Sequence, residues 1–547
     1  MLYSAIIPVL HLYIIPTAAI LAEPAGFDYS TEIAMGNGNL VKFDWSISRN
    51  KSDQSLVFEV VPEFSGVEND FDWMMVGFSD HGELIESDLS VVQFDELILE
   101  DTFVTTDGGV NVDLQQDWQL KSRTREIEAR IVVLERRLNT CDDKDIAVEK
   151  GSTQLVVVFG FGQIPSNVNE ITDGRTLSKV WYKVQPLRLI RWDNGKQKRK
   201  VPKDTGTIMD VTLPNIEIPS AETTYWCHVF ELPPMTEKQH IIQYEAIIKA
   251  GNEDLVHHME VFHCPAVPGQ KQTRDNMAYS GLCDNTPPLV QSCKKVIAAW
   301  AMGAEPMVYP TEAGLPIGGR GFGRFLRLEM HFNNPDGRSG VLDSSGIRFY
   351  LSNDLRPYDA GIMELGLEYT DKMAIPPGQD AFPLTGYCIP ECTEIGINNG
   401  GIKIFASQLH AHLTGKQLLT RHILSDGFEV EPINEDHHFV THWQEIRPLK
   451  HPRIVRPGDT LLTTCWFDTR SRNSATVGGN AITDEMCVNY IHYYPKVNLE
   501  VCKSSVDSAS LEWFWDYMKR YDNFVDVSAS NGSNCHCYGM CCVIFSS

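Results

Sequence analysis

At 547 residues the chain is long enough for three ordinary domains, and its 43% hydrophobic and 22% charged residues are those of a soluble globular protein. A formal net charge of −25 argues against nucleic acid as a partner, because phosphate binding needs clustered Lys and Arg. The acidic balance serves solubility, and mildly attracts a cationic small molecule.

Residues 1–22 are nearly all apolar, with small residues at Ala18, Ala19 and Ala22, and predict a signal peptide or an uncleaved signal anchor. The segment has no Lys or Arg, and Pro8 and Pro16 disfavour a packed membrane helix. No other stretch approaches the apolar length of a membrane span, so entry into the secretory pathway is expected. Asn50-Lys51-Ser52 and Asn531-Gly532-Ser533 place glycosylation acceptors at Asn50 and Asn531.

The first domain reads as β. Val41, Phe43, Trp45 and Ile47 alternate with Lys42, Asp44, Ser46 and Ser48, the pattern of a half-buried strand. Leu56 to Val60, Trp73 to Phe78 and Leu155 to Phe161 add apolar strand-like runs. Ile127, Ala129, Ile131 and Val133 alternate as well, although Ile127, Ile131, Leu134 and Leu138 also fit a helix; strand is the reading taken. Strands broken by Asp-Gly, Ser-Gly and Gly-Asn turns predict a sandwich over 27–185. No candidate ligand lies in this domain, so it is expected to be dispensable for the chemistry.

Pro186, the basic run Lys196 to Lys200, Pro202 and Pro214 mark a linker. Short apolar strands then continue to about residue 505, more than one sandwich holds, and suggest two. Leu511 to Phe524 predicts a short helix, followed to residue 547 by a polar, Cys-rich tail. The 14 Cys crowd after Cys227 without the paired spacing of a zinc site, and read as disulfides whose connectivity spacing alone leaves open.

Three histidine groups stand out: His257-His258, His331 and His410-Ala411-His412, each on or at the end of a predicted strand. Residues two apart on a strand share a face, so His410 and His412 can direct two imidazoles at one metal. Adjacent residues point oppositely, so His257 and His258 can share a metal only at a bulge or through reaching rings. His437-His438 has similar spacing but sits in a polar loop, and is read as unrelated to metal. The chain lacks H-E-x-x-H, G-x-S-x-G and a phosphate-loop motif. Imidazole-rich groups with few carboxylates suit copper or zinc.

Longer motifs carry a resemblance. Tyr225-Trp226-Cys227, the run Val256 to Cys264, Ala298 to Ala301, Leu326 to His331, Asp343 to Arg348, Ala360 to Leu367, Ser407 to Gly415 and Glu485 to Tyr490 resemble the copper type II, ascorbate-dependent monooxygenases, the family of the dopamine and tyramine β-hydroxylases. The resemblance spans about residues 27–525. It implies an all-β fold: an N-terminal DOMON-type sandwich in a structural role, then two jelly-roll-like subdomains, 200–352 and 353–505, facing an open cleft, with the short helix behind them. It implies two copper ions per chain, one on His257, His258 and His331 for electron transfer, and one on His410, His412 and Met486 where oxygen and substrate meet. Tyr490 and Asn489, beside Met486, become cleft residues. Ascorbate is the implied reductant, O2 the oxidant, and a phenylethylamine the substrate, hydroxylated at its benzylic carbon. Glu260, Glu364 and Glu368 are candidate partners for its ammonium. A family member with another substrate, or a secreted copper-binding protein without activity, are the alternatives.

The resemblance also implies disulfides Cys227–Cys283, Cys264–Cys293, Cys465–Cys487 and Cys388–Cys502, with Cys141 and Cys392 seeking partners in the tail. It implies a homo-oligomer and a secretory or synaptic vesicle lumen, or secretion. After about Phe524 the chain departs from the family pattern, ending in Cys535, Cys537, Cys541 and Cys542, which leaves the tail disulfides and a covalent dimer without support.

Overall fold

The computed structural model describes residues 27–506, a few short stretches between elements excepted, together with 542–545. The leader at 1–22, the helix expected at 511–524, Asn50, Asn531 and the cysteines Cys535, Cys537 and Cys541 lie outside the described residues. Within them the chain is built of strands, with only short helices such as Arg274–Met277 and Pro390–Gly396, so the fold is all-β. No helix among the described residues is long and apolar enough to cross a membrane.

The first sandwich packs two antiparallel sheets. One runs Tyr29–Gly36, Asn39–Ile47, Ser55–Glu63, Ala129–Arg137, Gln119–Glu126. The other runs Val180–Leu187, Thr153–Gly160, Trp73–Ser79, Ser87–Gln93, Ile98–Val104, Val110–Val112. The segment that fits helix and strand spacing equally is the strand Ala129–Arg137, whose Val132 and Leu134 join the inter-sheet core. Thr153–Gly160 is buried along its whole length because it is covered on both faces. Leu155, Val157 and Phe159 face the main core, and Val156 and Val158 face a smaller cluster with Trp73 and Met75. That explains an unbroken apolar run where alternation would otherwise appear.

Two further sandwiches follow. In the first, one sheet orders Thr207–Thr212, Gly346–Ser352, Lys238–Ile247, Ala313–Gly318 and Tyr358–Asp359. Its companion orders Ser280–Leu282, Thr223–Glu231, Phe325–Asn333, Val256–Cys264 and Lys295–Ala301. In the last, Arg447–Val455, Ile402–His410, Val488–Tyr494, Gly361–Leu367, Leu499–Ser504 and Cys542–Phe545 form one sheet. Phe382–Cys388, Thr460–Phe467, Gly415–Ile423 and Glu429–Asp436 form the other. The two sandwiches share apolar packing, since Ala360, Phe405, Ala406 and Tyr494 belong to the same buried cluster as Leu326, Met330 and Phe349.

Disulfides join Cys227 to Cys283, Cys264 to Cys293, Cys388 to Cys502 and Cys465 to Cys487. Cys392 is also disulfide-bonded, whereas Cys141 carries a free, exposed thiol, contrary to the expectation that it seeks a partner in the tail. It sits in the polar Asn139-to-Asp145 turn, its backbone N–H held by the Asn139 side chain at 2.9 Å.

Candidate metal centre

Strand pairing assembles the first histidine group. Val256–Cys264 and Phe325–Asn333 pair so that Val256 faces Phe332 and His258 faces His331, leaving His257 as the extra residue of a β-bulge. The bulge turns His257 toward the same side as His258, which regular alternation forbids. The three imidazoles converge. The His258 Nδ1 lies 3.2 Å from the Nδ1 of His257 and 3.2 Å from the Nδ1 of His331. One nitrogen from each ring can be chosen so that all lie within 4.8 Å of one another. A separation of 3.2 Å suits two nitrogens bound to one ion at about 2.0 Å each.

Burial, then the nearness of other imidazoles (His331 to His257 and His258, His442 to His331), holds these imidazoles neutral: His257 is pushed down to about 3, His331 to about 4, and His258 well below the usual range. Neutral imidazole is the ligating form. Tyr225, opposite His331 on Thr223–Glu231, stacks on the His331 ring with centroids 4.5 Å apart and planes 8° from parallel. The Nε2 of His331 is buried without a hydrogen-bond partner among the described residues.

The second group lies at the end of the strand Ile402–His410 in the last sandwich. His410 ends its strand opposite Val488, which places Met486, two residues before Val488, at the same end of the sheet. The rings of His410 and His412 stand 5.3 Å apart and nearly perpendicular. His412 donates its Nδ1–H to the Asp484 carbonyl at 3.0 Å, which fixes its tautomer and leaves Nε2 as the free lone pair. Burial, then the neighbouring His412, pushes His410 down to about 3. Met486 is buried, and Tyr490 is half-buried with its ring 6.0 Å from that of His410.

Further contributors surround the two groups, and of these only Glu485 falls within a run that carries the resemblance. The buried Glu485 carboxylate accepts the backbone N–H groups of His412 at 2.9 Å and Thr414 at 2.7 Å, and the Thr414 hydroxyl at 2.7 Å. His442 places its ring edge-on to His257, with centroids 5.3 Å apart and planes at 87°. Gln444 donates from Nε2 to the Ala411 carbonyl, between His410 and His412, at 2.8 Å. Each acts across a long sequence separation, where spacing has no bearing.

Other expectations are redirected. Asn489 does not face the cleft: it is fully buried, accepts from the Ser407 hydroxyl at 2.6 Å and donates to the Thr420 hydroxyl at 2.8 Å. As the strand neighbour of Tyr490, it points to the opposite face. Glu364 is ion-paired with Lys503. His437 meets the Gln417 side chain and His438 meets Asp80, so neither joins a histidine group.

The chain matches three family models: a DOMON domain over residues 38–162, and the N-terminal and C-terminal domains of copper type II ascorbate-dependent monooxygenase over 209–339 and 358–515. It is similar to the dopamine beta-hydroxylase of Homo sapiens, 45% identical over 82% of this chain and 71% of that protein. To the dopamine beta-hydroxylase of Bos taurus it is 42% identical, over 92% and 80% of the two chains. To the tyramine beta-hydroxylase of Caenorhabditis briggsae it is 42% identical, over 81% and 74%.

Proposed function

The chain belongs to the copper type II ascorbate-dependent monooxygenase family, and on that premise we propose that it inserts one atom of O2 at the benzylic carbon of a phenylethylamine, the other atom leaving as water. The observation that carries the site assignment is the convergence of three neutral imidazoles on one sandwich, together with a second imidazole pair on the next. His257, His258 and His331 would hold one copper, and His410, His412 and Met486 the other. Bound there, copper supplies the one-electron chemistry that links ascorbate to O2. A thioether beside two imidazoles favours Cu(I).

The protein's own part is orientation. Tyr225 fixes the plane of His331, the Asp484 carbonyl fixes the tautomer of His412, and Glu485 fixes the turn that carries it. Of the three candidate carboxylates for the ammonium, Glu260 fits best. It lies two residues after His258 on the same sheet face, opposite Glu329, and close enough to Tyr490 for its charge to act on that phenol. Arg327 pairs with Glu329 at 3.2 Å, leaving two acids to one cation. Burial, then the Glu329 charge, pushes Glu260 up to about 8, so it takes up its charge most readily when a cation arrives beside it.

The vesicular or secreted location, the signal or anchor role of residues 1–22 and a homo-oligomeric state belong to the same proposal. The disulfides support an oxidising compartment. The deciding measurement is oxygen uptake and product identification with copper and ascorbate, comparing tyramine, dopamine and no amine. Octopamine or noradrenaline is the expected product; oxygen uptake that neither amine stimulates would point to another substrate, and copper binding without uptake to an inactive binding protein.

A further inference from the structure

Between the strands Glu429–Asp436 and Arg447–Val455 the chain crosses a junction where all three sandwiches meet, and successive side chains there address different partners. His442 faces the first histidine group, edge-on to His257. Trp443 points the other way and is buried in the core cluster of the DOMON sandwich with Trp45, Leu187 and Leu189. Gln444 faces the second group: Nε2 holds the Ala411 carbonyl, the backbone carbonyl accepts from Gln408 Nε2 at 2.6 Å, and the buried Oε1 lies within reach of His410. Glu445 turns back and pairs with Arg188 at 3.3 Å.

The DOMON side is fastened firmly. Asp436 accepts from the Ser152 hydroxyl at 2.8 Å and from Arg447 at 2.6 Å, all buried, and Arg447 also donates to Ser152 at 3.1 Å. The same DOMON cluster takes in Ala301, the residue paired with His258 in the sheet of the first histidine group. The N-terminal sandwich therefore grips both halves of the site from behind. A buried, fully paired charge network is expensive to break, so this grip is rigid.

We propose that Thr441–Glu445 is a positioning bridge, pinned by Trp443 in the DOMON sandwich, that sets the placement of the two histidine groups relative to each other through His442 and Gln444. The DOMON sandwich then takes part in the chemistry through geometry, against the sequence expectation that it is dispensable. The inference rests on reading the two groups as copper sites.

The test uses the full chain loaded with copper and three variants, His442→Asn, Gln444→Ala and Trp443→Leu. Copper per chain, the Cu(II) resonance spectrum, the Cu–Cu distance from pulsed resonance, and product formed per ascorbate oxidised are measured. His442 is exposed, so His442→Asn keeps the fold and is expected to shift the spectrum of the copper on His257, His258 and His331 alone. Gln444→Ala is expected to shift the other copper's spectrum alone. Trp443→Leu is expected to broaden the Cu–Cu distance distribution and to lower product per ascorbate about tenfold, the scale seen when outer partners of metal ligands are lost. If Trp443→Leu does not fold, the other two variants decide. Wild-type spectra, distances and coupling in the folded variants would overturn the bridge. Absence of copper from the unmodified chain would remove the reading of the two groups, and the bridge with it.

Discussion

Glu485 holds the backbone N–H of His412 on a carboxylate oxygen at 2.9 Å, from the position next to Met486 in the chain. One buried acid thereby ties together the two segments that carry His412 and Met486, two of the three ligands proposed for the second copper. Glu485→Gln keeps the shape but presents an NH2 group to N–H donors that need an acceptor. A cost of about 2 kcal/mol in unfolding free energy is expected, the scale of a buried hydrogen bond left unmade. Copper analysis should show loss from the second site while the first stays filled; full loading with unchanged stability would remove Glu485 from the site.

The two coppers should bind independently. Their proposed ligands stand on different sandwiches, His258 and His331 on one sheet and His410 on another, and no residue belongs to both sets. His331→Ala removes one ligand and the Tyr225 stack, a loss of about 1 kcal/mol from the aromatic contact. It should lower copper from about two to about one per chain, the remaining ion keeping its wild-type spectrum. Loss of both ions from a folded variant, or a strongly coupled spin pair in the wild type, would contradict independence.

What the sequence shows and what it hides divide along a physical line. Strands such as Asn39–Ile47 and Ile402–His410 are legible because burial on one or both faces imposes a pattern on the residues themselves. His410 and His412 are legible as a pair for the same reason. The bulge at His257 is not, because it depends on register with Phe325–Asn333, a property of two strands together. Met486 has no signal of its own; the pairing of Val488 with His410 brings it to the site. His442 and Gln444 act across packed interfaces, and nothing local to them differs from an ordinary polar residue. Glu485 opens a run that carries the resemblance, but its hold on His412 and Thr414 is a property of packing.

His438 makes the DOMON contact pH-sensitive. Its Nδ1 lies 2.6 Å from an Asp80 carboxylate oxygen, with Glu149 nearby at 3.9 Å. Burial works against its charge, but the Asp80 hydrogen bond and the charges of Asp80, Glu149 and Asp436 outweigh it and raise its pKa above the ordinary imidazole value. A raised folded pKa gives stability that is full below the unfolded value near 6.5 and is lost as pH rises through the folded value. His438→Gln should therefore cost about 1 kcal/mol at pH 5.5 and little at pH 9, a modest figure because Asp80 is partly exposed. Thermal unfolding at both pH values checks it, and an equal cost at both would assign the loss to packing alone.

Met486→Leu separates a ligand from a core residue. Met486 is 8% exposed, and Leu replaces it with an apolar side chain of similar bulk, so unfolding free energy should fall by less than about 1.5 kcal/mol. The thioether is the only soft donor in the proposed second site, and Leu offers copper nothing. His410 and His412 remain and should retain some metal, more weakly. Hydroxylation should drop about a hundredfold or more, the upper end of what lost metal partners cost. His257, His258 and His331 are untouched, so ascorbate should still reduce the copper held there at the wild-type rate. If Met486 only fills the core, the variant turns over normally with a slightly shifted melting temperature. Product formation, copper content and thermal unfolding of this one variant, measured together, give opposite patterns for the two roles. A Met486→Leu protein with full copper and wild-type hydroxylation would exclude the thioether from the second site.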